Sequence, residues 1–232
     1  MKKQTKSTNK ITKTCLKATN LLAPVCPALV SCADKNGKQN ALTVAWIGTV
    51  NSKPPMLSIS ISPLRYSHHL IDETKEFVVN LPSSECAEQI DFCGVKSGSK
   101  LDKLAHCGFT SFSIPSLTYA QGIKELPVNI ACKVTQQLDL GSHTMFLAEI
   151  SEVHANTNLF DSNGKLHLEK AHLLAYMHGE YFALADKQGF FGYSLASKDV
   201  LARRLPSTKK RTKAKNGTLS KNNTNKKTKN SK

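Results

Sequence analysis

The run Met56–Ser62 restricts the fold more than any other stretch of this chain. Leu57, Ile59 and Ile61 alternate with Ser58, Ser60 and Ser62, and the run is bounded by Pro54-Pro55 and by Pro63. Side chains of a strand point alternately to its two faces, so a period of two puts three aliphatic residues on one face and three serines on the other. The prolines set the ends, because proline has no N–H with which to continue a ladder. The aliphatic face must be buried. The serine face is either a solvent-facing side or a shallow floor with room for a flat ligand.

The same patterning runs along the chain. Ala28–Ala33 reads as a strand that turns through Asp34-Lys35-Asn36-Gly37-Lys38, and Leu42–Val50 reads as a second. Glu76–Leu81 is a strand stopped by Pro82, and Val128–Leu138 and His143–His154 are longer ones. Asn163-Gly164 is a hairpin turn signal, and Tyr181–Ala185 is a further strand. Helical stretches are fewer and shorter: Ser67–Lys75 with Ser67 as N-cap, Ser84–Gly94 with Cys86, Ile90 and Cys93 on one face, and Leu101–His106. The tally is six to eight strands with two or three short helices, without regular β-α-β units. A mainly β fold follows, an antiparallel barrel in preference to a doubly wound sheet.

Charge separates the ends from the middle. Residues 1–17 carry six Lys and no acid, and residues 203–232 carry twelve Lys or Arg and no acid. Between them, fourteen basic residues face seventeen acidic ones, a net of −3. Like-charge blocks rich in Asn, Thr and Ser bury too little apolar surface to offset chain entropy. Three parts are therefore expected: a disordered basic arm over 1–20, one folded domain over 21–200, and a disordered basic tail over 201–232. The tail is either a solvated extension or a nonspecific contact for polyanions; it has no aromatic residue on which bases could stack.

The seven cysteines form no Cys-x-x-Cys and match no zinc spacing, which points to a reducing, cytoplasmic compartment. The adjacent His68-His69 pair faces apart on a helix, and His167, His172 and His178 lack an acidic partner pattern, so no metal site is expected. Pro24 and Pro27 interrupt the apolar run after the basic arm, and no segment reaches the ~20 apolar residues of a membrane span.

Chemistry concentrates between Asn40 and Ser67. Ser62-Pro63-Leu64-Arg65-Tyr66-Ser67-His68 sets a guanidinium and a hydroxyl at a helix start, where free N–H groups and the helix dipole favour an anion. The alternative is a surface arginine beside an ordinary serine cap. Trp46, the sole tryptophan, ends the run N-A-L-T-V-A-W and is either a core residue or a ligand wall. There is no G-x-G-x-x-G, no P-loop and no G-x-S-x-G elbow.

From about Pro27 to Ser197 the chain resembles the flavin reductase-like, FMN-binding split-barrel family, which includes flavoredoxin. The resemblance rests on N-A-L-T-V-A-W at Asn40–Trp46, P-P-M-L-S-I-S-I at Pro54–Ile61, R-Y-S-H at Arg65–His68, E-F-V-V-N-L at Glu76–Leu81 and F-C-G-V-K-S-G at Phe92–Gly98. Asp102-Lys103, L-G-S-H-T-M-F at Leu140–Phe146 and H-G-E-Y-F at His178–Phe182 follow in order. Two positions depart from the family pattern: Leu104 stands where an aromatic is common, and Ser142 where an acid is common.

The resemblance implies an antiparallel, Greek-key-like split β-barrel that forms a homodimer and binds FMN. By position, Asn40, Ala41, Thr43, Val44, Ala45 and Trp46 would line the flavin with Ser60 and Ser62. Arg65, Ser67, His68 and the helix start would hold the phosphate, and Lys103 would reach the phosphate or the pyrimidine edge. His143 would sit at the redox face as the catalytic residue. The implied activity is reduction of bound flavin by NADH or NADPH, with electrons passed on to an acceptor. A flavoredoxin-like carrier fed by a redox protein partner, without NAD(P)H, is the alternative.

Overall fold

The computed structural model describes residues 11–205. Most of the expected disordered arm and tail, residues 1–10 and 206–232, lies outside the described residues. The described residues fall into two compact units that divide between Leu184 and Ala185.

The first unit is built on one seven-stranded antiparallel sheet. Its strands are β1 (Ala28–Ala33), β2 (Gln39–Val44), β3 (Ile47–Ser52), β4 (Pro55–Ile61), β5 (Glu76–Leu81), and two that follow later in the chain. Helix α1 (Tyr66–Thr74) joins β4 to β5, and α2 (Ala87–Val95) and α3 (Lys103–Cys107) follow. A short hairpin, β6 (Ser111–Ser113) and β7 (Gln121–Ile123), leads into the long pair β8 (Val128–Asp139) and β9 (Thr144–Ala155). A second hairpin, β10 (Leu174–Met177) and β11 (Glu180–Ala183), ends the unit. The second unit contains helix α4 (Lys198–Arg204), in which the Arg204 guanidinium lies 3.8 Å over the Phe190 ring.

Sheet order explains the barrel. The strands run β2-β1-β5-β8-β9-β4-β3, so the two edge strands are β2 and β3. Those two strands are consecutive in the chain, separated only by Ala45 and Trp46. Two residues span at most about 7 Å, so the edges must meet and the sheet must curl on itself. The N–H of Ser60 on β4 donates to the Trp46 carbonyl at 2.9 Å, which pins the crossing point. The expected single strand Leu42–Val50 is thereby corrected to two. The apolar run continues through Ala45 and Trp46, but the backbone there leaves one edge of the sheet for the other, and periodicity carries no signal of that change.

The interior fills as the alternation dictates. Leu57, Ile59 and Ile61 are buried with Val30, Leu42, Phe77 and Phe146 in the main core. Each such side chain contributes roughly 1.5–3 kcal/mol on full burial, which is why the register of β4 cannot slip by one. The opposite face of β1 and β2 is covered by α2 and α3, where Leu29 and Ala41 meet Ile90, Cys93 and Leu104. Covering on both sides explains why every residue of β1 is buried. Leu104 belongs to this second core.

β1, β5, and β8 and β9 to within a residue at each end, coincide with the sequence expectation. Four details differ. Helix α1 begins at Tyr66 with Arg65 in the cap position and no side-chain cap; Ser67 is buried inside the first turn, so its expected capping role is corrected. The stretch from Ser84 opens as a 3₁₀ turn, Ser84–Cys86, before α2 begins. Helix α3 starts at Lys103, with the Asp102 carboxylate capping it by accepting from the Ala105 N–H at 3.0 Å. Eleven strands occur among the described residues, where six to eight were expected. The surplus comes from short pairs such as β6–β7, too brief to show a period.

Candidate functional site

The break between β2 and β3 opens a cavity of about 130 Å³ at the split of the barrel. The end of β2 supplies Leu42, Thr43 and Val44, the break supplies Ala45 and Trp46, and β4 supplies Ser60, Ile61 and Ser62. Arg65 and His143, which stands just before β9, complete the lining. Eight of the sequence-predicted residues therefore converge: Thr43, Val44, Ala45, Trp46, Ser60, Ser62, Arg65 and His143. Residues some 100 positions apart meet because β4 pairs with β9, with Ser60 opposite Met145 and Ile61 opposite Thr144.

Trp46 and His143 guard the opening. Their ring centroids are 4.3 Å apart and the planes are tilted by 49°. Trp46 is 47% exposed, far more than a core indole would be. The Ser142 hydroxyl and Nδ1 of His143 are 3.0 Å apart, so Ser142 orients the ring.

Arg65 brings a guanidinium to the lining. One Nη1 bond, 3.0 Å to the Gly94 carbonyl, holds the guanidinium against the end of α2 and leaves further donors of its fork available. The adjoining start of α1 has no side-chain cap and no acidic residue in its first turn. Uncapped N–H groups beside a guanidinium favour a phosphate or carboxylate.

Asn40, Ala41, Ser67, His68 and Lys103 are not among the residues that line this cavity. Ala41 is fully buried in the second core. Asn40 is buried, and its Nδ2 donates to Ser67 Oγ at 2.7 Å, which ties β2 to the first turn of α1. Gly98 packs so closely on Asn40 that a Cβ there would lie 1.9 Å from Oδ1. Nε2 of His68 is 2.9 Å from the Thr144 hydroxyl, and desolvation pushes its pKa down. The Lys103 ammonium is buried and donates to the carbonyls of Cys93 at 3.0 Å and Lys96 at 3.2 Å. These carbonyls end α2, where a cation complements the helix dipole. Burial lowers the Lys103 pKa, with nearby Cys93 and Cys32 acting in the opposite direction.

The sequence profile of the flavin reductase like domain matches residues 23–185. The chain belongs to the flavin reductase-like domain family. An uncharacterised protein of Archaeoglobus fulgidus is 33% identical over 116 residues, covering 50% of this chain and 65% of that protein, just under two thirds of its length. One of Pyrococcus abyssi is 30% identical over 149 residues, covering 64% of this chain and 84% of that protein. Among solved structures, flavoredoxin of Desulfovibrio vulgaris (Miyazaki F) superposes with a TM-score of 0.74 at 26% identity, over 80% of this chain and 100% of that one. Flavoredoxin of Methanosarcina acetivorans gives 0.71 at 28% identity with the same coverage. The sheet described above is the split barrel of these proteins.

In this flavin reductase-like chain the structure also brings in residues that the sequence reading missed. A neighbouring hollow of about 220 Å³ shares Thr43 and Ala45 with the first cavity and adds Asp91, Gly94, Tyr176 and Tyr181. The Tyr181 hydroxyl donates to Asp91 at 3.3 Å, and burial followed by the Asp91 charge pushes its pKa up to about 12. A Cβ on Gly94 would sit 3.3 Å from the Thr43 Cβ, so that glycine permits close approach of α2 to β2. Gly94 lies within F-C-G-V-K-S-G and Tyr181 within H-G-E-Y-F, so the signal was present but its geometry was not. Among the described residues, no group of three or more His, Cys, Asp or Glu side chains is arranged to hold a metal ion, and no helix is long and apolar enough to cross a membrane.

Proposed function

We propose that the chain is an FMN-binding flavin reductase-like oxidoreductase. It would move electrons from NADH or NADPH through bound flavin to an acceptor. The observation that carries this reading is the meeting of a small-residue floor, an indole wall and an anion end at one break in the barrel. Ser60 and Ser62 leave the floor low enough for a flat ring, and Trp46 stands beside it. Arg65 and the uncapped start of α1 suit a phosphate tail. The donor set matches FMN, whose flat ring and single phosphate need one apolar slot and one anion grip.

When bound, FMN would supply two-electron chemistry, and the protein would supply position and electrostatics. Arg65 would fix the phosphate by charge-assisted bonds, and Thr43 and the neighbouring backbone would hold the ring edge. Asn40, Ser67 and Lys103 would act from behind, by fixing α1 and the end of α2 against β2. His143, oriented by Ser142, would be the catalytic residue at the ring's open face. Trp46 and His143 would move apart to admit the ring and would limit water around it.

A second reading is an electron carrier fed by a redox protein without nicotinamide. The likeness to two flavoredoxins, at 26% and 28% identity, favours it. Anaerobic mixing with NADH and with NADPH separates the readings. Rapid bleaching of the flavin band supports the reductase; reduction only by a protein donor supports the carrier. Protein that is colourless as purified and takes up no added FMN overturns both. A homodimer in a cytoplasmic setting accords with both readings, and the seven free cysteines suit a reducing compartment. The basic tail would contribute, at most, a salt-sensitive contact with polyanions.

A further inference from the structure

Trp46 lines the cavity beside Arg65 and also hollows that Arg65 does not line. Past the indole lies a hollow of about 420 Å³ lined by Asn20, Leu22, Val25, Trp46, Tyr176 and His178. Its outer wall is the segment that precedes β1. Val25 anchors that segment: its N–H donates to the Tyr176 carbonyl at 3.0 Å, and its carbonyl accepts from the Tyr176 N–H at 2.9 Å. The chain is thus tied to β10 only three residues from Leu22.

The wall is apolar but not packed away. Leu22 is 89% exposed and Leu21 is 54% exposed. Leu21 lines an adjoining hollow of about 450 Å³ that also reaches Ala45 and Trp46. Tyr176 adds aromatic surface to the hollow, its ring 5.2 Å from that of Tyr181. His178 stands at the tight turn between β10 and β11, in the left-handed region at φ 50° and followed by Gly179 at φ 90°.

The two sides of Trp46 differ in charge. Arg65 sits on one side. Among the described residues lining the hollows on the other side, there is no Lys, Arg, Asp or Glu. A ligand bearing a pyrophosphate or sulfonate would lose hydration there without gaining a cation. A neutral ring loses little hydration and gains contact with the indole, the phenol and Leu22.

We propose that this hollow is the docking compartment for the electron acceptor, and that the acceptor is a small neutral planar ring of the quinone class. This rests on the flavin reading, because Ala45 and Trp46 line both hollows. The quinone takes two electrons and two protons from the reduced flavin, which leaves hydroquinone and oxidised flavin. His178 serves as hydrogen-bond partner to the ring oxygen at the rim. Leu22 sets the specificity for an uncharged ring.

The sole tryptophan gives a direct reporter, since the full chain has a single indole N–H resonance. FMN-loaded protein is titrated anaerobically with 1,4-hydroquinone and, separately, with its monosulfonate. Hydroquinone is expected to shift the Trp46 signal saturably, and the sulfonate to bind about tenfold more weakly or worse, the equivalent of one uncompensated charge. Leu22→Asp, at an exposed position that folding does not depend on, is expected to weaken hydroquinone by a similar factor. FMN affinity, read at the separate cavity, should stay within about twofold. Equal binding of the sulfonate, an unchanged affinity in Leu22→Asp, or a shift that never saturates overturns the proposal. Failure of the wild type to take up FMN overturns the flavin reading instead. The titration is then run on flavin-free protein, where Leu22-dependent saturation keeps the compartment and its absence removes it.

Discussion

Replacing Gly98 by alanine tests how the rear of the site is held. The new Cβ would lie 1.9 Å from Asn40 Oδ1 and 2.6 Å from its Cγ. Ordinary contact begins near 3.4 Å, so one partner must move by about 1.5 Å. Asn40 is 5% exposed and is fixed by its 2.7 Å bond to Ser67. Turning it aside breaks that bond between buried groups, at about 1–3 kcal/mol. Forcing the 95–102 loop outward has an overpacking cost of similar size. Gly98→Ala should therefore destabilise the protein by about 1–3 kcal/mol. The mechanism makes a sharper claim through a double-mutant cycle. Asn40→Ala alone loses the same bond, at about 1–3 kcal/mol. In the double variant the obstructing atoms are gone, and the alanine reduces unfolded-state entropy by about 0.4–1 kcal/mol. Gly98→Ala should then be close to neutral, or mildly stabilising, in the Asn40→Ala background. Urea unfolding of the four proteins, at constant m, measures the coupling. If the two single effects add to within about 0.5 kcal/mol, the close packing of Gly98 on Asn40 is not what holds this region.

Arg65→Gln should weaken FMN by roughly 10- to 100-fold, the value of a charge-assisted bond, yet leave lumiflavin unchanged because it lacks the phosphate; equal losses for both would place Arg65 away from the phosphate. His167 is bonded at Nε2 to Asp161 at 2.9 Å and at Nδ1 to Glu169 at 3.0 Å, which raises its pKa, while the same contact holds Asp161 at about 2. The raised His contribution is full below the unfolded pKa near 6.5 and is lost as pH rises through the folded value; the Asp contribution is present above about 4 and is lost as pH falls towards 2. Protection of the amides of residues 157–171, taken relative to their intrinsic exchange rate at each pH, should accordingly be greatest between about pH 4 and 6.5, and protection independent of pH would contradict the pairing. Lys103 binds its proton less readily when folded, so wild-type stability relative to Lys103→Met should rise with pH through the window between that depressed pKa and the usual ~10.4. Paired urea titrations at several pH values would reveal the slope, and a difference independent of pH would count against a buried ammonium. Cys15 is exposed, whereas Cys32 is fully buried with its thiol pushed up to about 12 by desolvation; native-state thiol labelling should reach Cys15 at once and Cys32 only on unfolding.

The strands were legible because their sequences obey a single local rule. β5 is bounded by Glu76 and Pro82, and β4 declares its buried face through Leu57, Ile59 and Ile61. The presence of Arg65 at the cavity was legible for a similar reason, since a helix start and a guanidinium five residues past Ser60 sit within one local stretch. The break at Ala45–Trp46 was not. Its residues are as apolar as those on either side, and only the pairing of β4 with β9 and of β1 with β5 makes β2 and β3 opposite edges. Lys103 shows the same limit. Its charge suggests solvent or an anion, while the fold buries it and gives it the carbonyls at the end of α2.

The sequence by itself thus determined the antiparallel β class, the family, and most of the residues that gather at the split, because alternation and motif order are properties of neighbouring positions. Which of those residues face the cavity was decided by the tertiary structure alone. Thr43, Trp46, Arg65 and His143 line it, while Asn40 bonds to Ser67 and Lys103 to the Cys93 carbonyl away from the lining. The physical reason is that a barrel closes through pairings between strands far apart in the chain. The side of a closed sheet on which a residue lies depends on those distant pairings, and no local pattern encodes them.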